Sequence, residues 1–247
     1  MPQRRVPKGS SHGGELDRKA NPESTVTLSS SALPGDLVKK LPPGTSATWL
    51  KIAPLLPVSA YLSGGTALTV HLLHRVSRDL DIFLERPEDL RALWMHLQTI
   101  GDARATQHDD STISCVIDGT KVQVLEATTQ RIVAPFVMVG GMRVASVEDI
   151  MATKLKVVVD RGELRDYFDI MTIERDRSIM AETGLALVIE KYSPTQPDQY
   201  IKSIVRALGY LGDVEDDPAL PVSRSVIVDY WMKRQRSLLK HIAMFGG

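Results

Sequence analysis

A lone cysteine, Cys115, rules out an intrachain disulfide and any paired-cysteine zinc ribbon, and its setting in an alternating apolar segment marks it as a buried thiol. Net charge is missing too. Lys plus Arg and Asp plus Glu number 30 each, so no global field draws the chain to nucleic acid and only local patches can do so. No apolar run reaches the roughly 18 residues that span a bilayer. The basic N-terminus is not followed by an apolar core either, so the expectation is a cytoplasmic protein with no membrane partner. A Walker lysine is absent after Gly64-Gly65 and no helical HExxH occurs, which leaves P-loop and zincin chemistry without support.

What remains is enough chain, at 247 residues, for one large or two modest domains with a substantial core. Residues 1–44 differ from the rest. They carry Arg4, Arg5 and Lys8, then a polar mixture, and end in Leu41-Pro42-Pro43-Gly44. Such a composition buries too little surface to offset ordering, so about the first 30 residues are expected to be disordered. A docking element is expected near Leu37 to Leu41, and the basic cluster reads either as a solvated tail or as an RNA contact.

The chain is organised around Tyr61 to Phe83, YLSGGTALTVHLLHRVSRDLDIF. It opens apolar, turns at Gly64-Gly65, runs as a helix from Thr66 to Leu73, and re-enters an alternating segment holding Asp79 and Asp81. Residues two apart in a strand share a face, so the two carboxylates project together while Leu80 and Ile82 turn inward. Like charges that close repel, and a divalent cation is the economical compensation. Magnesium takes oxygen ligands and is held by one or two carboxylates plus substrate phosphates. A glycine pair lets backbone approach a ligand closely and offers a helix N-terminus to phosphate.

This pattern resembles that of the nucleotidyltransferase superfamily, a glycine pair at a strand-helix turn followed by Asp-x-Asp. GGTAL with HRVSRDLDIF is similar, more narrowly, to the AbiEii/AbiGii toxin family. SVEDIMATKLKVVVDRGELRDYFDI resembles that family's second hallmark, and VRALGYLGDVEDDPALP its C-terminal helical part. The resemblance spans roughly residues 48–235 and implies an α+β nucleotidyltransferase fold, with a mixed sheet in 45–145 and a helical domain in 146–247 that completes a cleft.

Around that stretch, Thr45 or Ser46 is expected to cap a helix carrying Trp49, Leu50 and Ile52 that closes at Pro54 or Pro57. A strand from Val58 to Leu62 precedes the glycines. Leu90, Leu93, Trp94 and Leu97 recur at helical spacing after Pro87. A polar loop, Ala105 to Asp110, leads to strands Ser111 to Ile117 and Lys121 to Glu126, joined by the hairpin signal Asp118-Gly119. The family places a third carboxylate on this last strand. Here that position falls at Gln123, with Glu126 at the strand's end on the other parity, so neither reproduces a three-acid site. Arg143 to Ala145 reads as a strand, and Ser146 with Asp149 as an approximate capping box.

On the helix that follows, Lys154 and Arg161 lie seven apart on one side, which by itself fits a solvated face. The resemblance makes Lys154 a catalytic-site lysine lying against nucleotide phosphates. In the next helix the R-D-x-x-D pattern falls on Arg165, Asp166 and Asp169. The resemblance implies that its acidic member acts in catalysis or orders the lysine, and Asp169 is preferred over Asp166. Later helices are expected at Ala181 to Glu190, Tyr200 to Leu211 and Val222 to Leu239. Asp213, Glu215, Asp216 and Asp217 read as a solvated linker in preference to a metal or partner site. Lys233, Arg234, Arg236 and Lys240, with Trp231, Leu238 and Leu239 on the apolar side, read as a packed helix or an RNA-facing patch.

The resulting expectation is a magnesium- or manganese-dependent enzyme. Asp79 and Asp81 hold the metal, Asp79, Asp81, Lys154 and Asp169 are catalytic, and Gly64, Gly65, Thr66, Arg75 and Ser77 contact the nucleoside triphosphate. Gln123, Glu126, Arg161, Arg165 and Asp166 are secondary candidates. The resemblance implies transfer of a nucleoside monophosphate to RNA, including the 3′ end of transfer RNA, in a toxin restrained by an antitoxin protein. Two rivals stay open: an inactive domain that binds a nucleotide or a protein, and an enzyme acting on a small acceptor such as an aminoglycoside.

Overall fold

The computed structural model describes residues 32–245, with side chains through residue 240. The strands are β1 (Ala60–Ser63), β2 (Leu80–Leu84), β3 (Arg104–His108), β4 (Thr112–Ile117), β5 (Thr120–Glu126), β6 (Val137–Val139) and β7 (Met142–Val144). They form one mixed sheet in the order β3-β4-β5-β2-β1-β7-β6. β2 pairs antiparallel with β1 and parallel with β5, and β1 pairs parallel with β7.

Alternation decides which face of the sheet is core. Leu80, Ile82 and Leu84 of β2, Val122 and Val124 of β5, and Ile113, Cys115 and Ile117 of β4 are all buried. Their registers, Leu80 with Val122 and Cys115 with Val122, put them on one side. The other parity carries a polar row across four strands: Ser63 faces Asp81, Asp81 faces Gln123, and Gln123 faces Ser114.

Nine α-helices surround the sheet among the described residues: α1 (Gly35–Val38), α2 (Pro43–Ile52), α3 (Gly64–Leu72), α4 (Glu88–Leu97), α5 (Val147–Arg161), α6 (Leu164–Arg177), α7 (Ala181–Tyr192), α8 (Pro197–Leu208) and α9 (Arg224–Phe245). Ser146 caps α5, accepting from the Asp149 N–H at 3.0 Å. From there on the described chain is helical, yet buried apolar residues on both sides of Ser146 belong to one continuous cluster. No helix among the described residues is long and apolar enough to cross a membrane.

Several expectations are corrected. α2 starts at Pro43, whose fixed φ suits a first helical position, so Thr45 and Ser46 lie inside the helix and are buried. Thr45 Oγ1 instead donates to the Arg78 carbonyl at 2.8 Å. β1 begins at Ala60, because Pro57 to Ala60 closes a turn. α3 begins at Gly64 rather than Thr66, which makes the glycines its first turn. Most of the expected loop 105–110 is β3, an edge strand exposed along its whole length, whose polar composition follows from having no covered face. β6 was not expected; it forms a hairpin with β7 through Gly140 and Gly141, at φ 51° and 80°. α8 starts three residues early at a proline, and α9 runs from Arg224, later and longer than expected. The docking element is present: Leu37 and Leu41 are buried. The expectation for the first 30 residues, with Arg4, Arg5 and Lys8, lies outside the described residues.

Candidate active site

A cavity of about 490 Å³ opens where the polar row meets α5 and α6. β2 and the residues before it contribute Arg75, Ser77, Arg78, Asp79 and Asp81. β5 contributes Lys121 and Gln123, while α5, α6 and their junction contribute Lys154, Arg161, Glu163, Arg165 and Asp166. Asp217, Ala219 and Leu220, from the α8–α9 loop, form the remaining wall.

Local backbone explains how two acids reach this cavity. β1 ends at Ser63, and Gly64 takes φ +68°, a left-handed value that reverses the chain into α3. A Cβ at Gly64 would strike the Asp81 carboxylate. Gly64 therefore backs Asp81 and is not among the residues that line the cavity. Gly65 does line it, and a Cβ there would stand 2.5 Å from Arg75 Nη2. Thr66 is fully buried; its hydroxyl bonds Ser77 Oγ at 2.7 Å and the Asp79 carbonyl, so it ties the loop before β2 to α3 and touches no ligand space. Asp79 precedes the first β2 residue, and both it and Asp81 border the cavity.

Behind this rim lies a buried charge node. Asp169 is fully buried and absent from the cavity lining. Its carboxylate takes a two-pronged bond from Arg75, Nε at 2.6 Å and Nη2 at 2.7 Å, with His74 Nε2 at 2.8 Å and Lys154 Nζ at 2.8 Å. Burial pushes this carboxyl up, but Lys154, Arg75 and the bonds from Arg75 and His74 together hold it well below the usual carboxylate range. Lys154 also reaches Asp166 Oδ1 at 2.7 Å. Burial depresses the ammonium, and Asp169 and Asp166 outweigh it, so Lys154 stays charged. Asp166 in turn accepts from the Glu163 N–H at 3.1 Å, within a capping box that starts α6. Asp169 thus ties Arg75 and Lys154 together from behind the cavity wall. Asp166, the less favoured candidate, is the acid that borders the cavity.

Asp81 is the opposite case. Burial raises its carboxyl, Lys154 pulls it down and Asp79 pushes it up, with a net rise above the ordinary value. In register beside it stands Gln123, an uncharged amide where a third acid was sought. Glu126 is at the far end of β5, opposite Leu84, accepts from Thr128 and is not among the residues that line the cavity. Arg161 and Arg165 both border the cavity and flank Glu163. Arg78, Lys121, Glu163 and Asp217 were missed as site residues. Parity with Gln123 gave a signal for Lys121, but nothing local in the sequence brings Asp217 back to β2.

The C-terminal basic run divides similarly. Arg234 is spent on Glu174 and Glu182, at 2.8 Å for the former, whereas Lys233, Arg236 and Lys240 are exposed. Leu239, expected on the apolar side, is also exposed.

The chain is similar to several known proteins. An uncharacterised protein of Aquifex aeolicus (strain VF5) is 27% identical over 148 residues, 59% of this chain and 72% of its own. JHP933 of Helicobacter pylori aligns over 87% of this chain and all of its own at 16% identity, with a TM-score of 0.45. The nucleotidyltransferase toxin MenT4 of Mycobacterium tuberculosis H37Rv covers 79% of this chain and 82% of its own at 15% identity, with a TM-score of 0.43. The profile of the family described as "Nucleotidyl transferase AbiEii toxin, Type IV TA system" matches residues 52–220, from α2 to the α8–α9 loop and so across every side chain of the cavity. With the match covering more than half of its length, the chain belongs to the AbiEii nucleotidyltransferase toxin family.

Proposed function

We propose that this nucleotidyltransferase moves a nucleoside monophosphate from a nucleoside triphosphate to a hydroxyl of RNA, of the kind found at the 3′ end of transfer RNA. In this reading it is a toxin whose action a partner antitoxin relieves. The observation that carries the reading is one cavity in which Asp79 and Asp81 face Arg78, Lys121, Lys154, Arg161 and Arg165. Such a mixture suits a cation-bound polyphosphate better than any neutral ligand.

The donor set fits a hard divalent cation, magnesium or manganese. Among the described residues no cluster of three or more His, Cys, Asp or Glu side chains forms a metal cage. A carboxylate pair is what an ion needs when phosphate oxygens complete its shell. Asp79 and Asp81 would hold it; when bound, the cation neutralises charge on the phosphoryl oxygens. Lys154 is presented by Asp166 and Asp169 as a fixed positive charge, so it stabilises developing phosphate charge without reorganising. Arg165 and Lys121 border the same cavity and add positive charge for a triphosphate. Ser77 and Gln123 offer neutral hydrogen bonds beside the two acids.

Gln123 in the register of Asp81 favours a second reading, a domain that binds nucleotide without turnover. Incubation with each labelled nucleoside triphosphate, magnesium or manganese, and either total bacterial RNA or an aminoglycoside separates the cases. Label on RNA with wild type, and none with Asp81→Ala, is expected. Label on the aminoglycoside alone replaces RNA as acceptor, and no turnover with any acceptor replaces the enzyme by the binding domain.

A further inference from the structure

A second concavity, of about 300 Å³, adjoins the catalytic cavity and shares Arg161 with it. Its walls are the last turn of α5, Tyr167 of α6, Ala207 of α8, and the α8–α9 loop with Tyr210, Asp213 and Val214. That same loop supplies Asp217 to the catalytic cavity, so one segment walls both spaces. The floor is rigid. Tyr167 is buried and its hydroxyl donates to the Ala207 carbonyl at 3.3 Å. A Cβ at Gly162 would stand 2.8 Å from the Tyr167 oxygen, so glycine is required there for space, at an ordinary φ of −50°.

Tyr210 stands apart from this packed floor. It is 63% exposed, and among the described residues its side chain makes no hydrogen bond, ring stack or cation contact. Asp213, also exposed, has no ion pair among the described residues, while Asp160 is held by Lys156 at 2.9 Å. With two carboxylates to one guanidinium, this space repels a polyphosphate, which belongs in the first cavity with Lys154, Lys121 and Arg165. A flat, uncharged group with N–H donors suits it instead, because an aromatic face stacks on any base and a carboxylate accepts from the N–H edge.

We propose that the second cavity is a base subsite for the acceptor strand. An unpaired nucleobase next to the acceptor nucleotide stacks on Tyr210 and donates to Asp213. Arg161, at the junction of the two spaces, meets the phosphodiester between that base and the reacting nucleotide. The proposal rests on the reading of RNA as acceptor and adds where the strand lies.

The test uses the full chain, a fluorescein-labelled short single-stranded RNA read by anisotropy, and each unlabelled nucleoside triphosphate with magnesium read by calorimetry. Tyr210→Ala is expected to weaken RNA binding about tenfold or more, the size of a lost base–aromatic stack, and Tyr210→Phe to restore it. Nucleotide affinity and thermal midpoint should not change, since Tyr210 is exposed and outside the first cavity. The proposal is overturned if wild type binds no single-stranded RNA, if Tyr210→Ala binds it as wild type does, if Tyr210→Phe fails to restore binding, or if nucleotide affinity falls in step with RNA affinity. Failures separate cleanly from those of the parent reading. Wild type that binds RNA through Tyr210 but never labels it retains the subsite and loses the transfer. Wild type that labels RNA with a KM that Tyr210→Ala leaves unchanged retains the transfer and loses the subsite.

Discussion

Two groups of charges meet at Lys154, and they are built to opposite ends. In the node of Arg75, Lys154, Asp166 and Asp169, with the His74 ring bonded to Asp169, each charged group answers another at hydrogen-bond distance. On the rim, Asp79 and Asp81 stand two residues apart with a neutral Gln123 beside them, and burial raises Asp81. The same residue types thus serve rigidity where they are mutually satisfied and, in the proposed function, ligand capture where they are not. A buried carboxylate that is fully paired stabilises the fold against loss of a partner, while an under-compensated one costs the fold something and gains only when a cation arrives.

The sharpest way to break this contrast is Asp169→Ala. It leaves Arg75 and Lys154 buried without their shared anion, so urea unfolding should show a loss of about 3–5 kcal/mol. Asp81→Ala should do the reverse. Stability should hold or rise, while transfer in the labelled-nucleotide assay falls by about a thousandfold or more, near 4 kcal/mol of barrier. Equal melting losses in the two variants would dissolve the distinction between node and rim.

Lys154→Ala lies between them because the lysine belongs to both groups. Transfer should drop by about 100- to 1000-fold, with metal affinity largely kept, since in the proposed function the lysine compensates phosphate charge and ligates nothing. A pH series sharpens the node further. Asp169 is held below its unfolded value of about 3.9, so its contribution is complete above that pH and is lost as pH falls towards the folded pKa. The stability gap between wild type and Asp169→Asn should therefore be constant near neutrality and shrink below about pH 4. Gln123→Ala should be mildest, less than about tenfold in rate, as expected of a neutral hydrogen-bonding neighbour. A loss matching that of Asp81→Ala would mean that the amide has taken over the third acid's role.

Local rules carried a good part of this protein. Alternation placed Leu80, Ile82 and Cys115 in the core, Asp118-Gly119 closed a hairpin, and Ser146 capped a helix, because each depends on neighbours a few residues away. Asp-x-Asp after a glycine pair was legible for the same reason. What the sequence determined was thus most of the elements, most of their inward faces and the acidic pair. Tertiary structure alone decided the rest. The edge strand β3 has no covered face to imprint a pattern, and β6 is too short to show one. Whether Asp166 or Asp169 borders the cavity depends on where Arg75 arrives from, 94 residues from Asp169. Gly64 needs its missing side chain for Asp81, and Tyr210, Asp213 and Asp217 join the site only because the α8–α9 loop folds back over α5. Burial and pairing over such separations are properties of packing, and packing leaves no period in the chain.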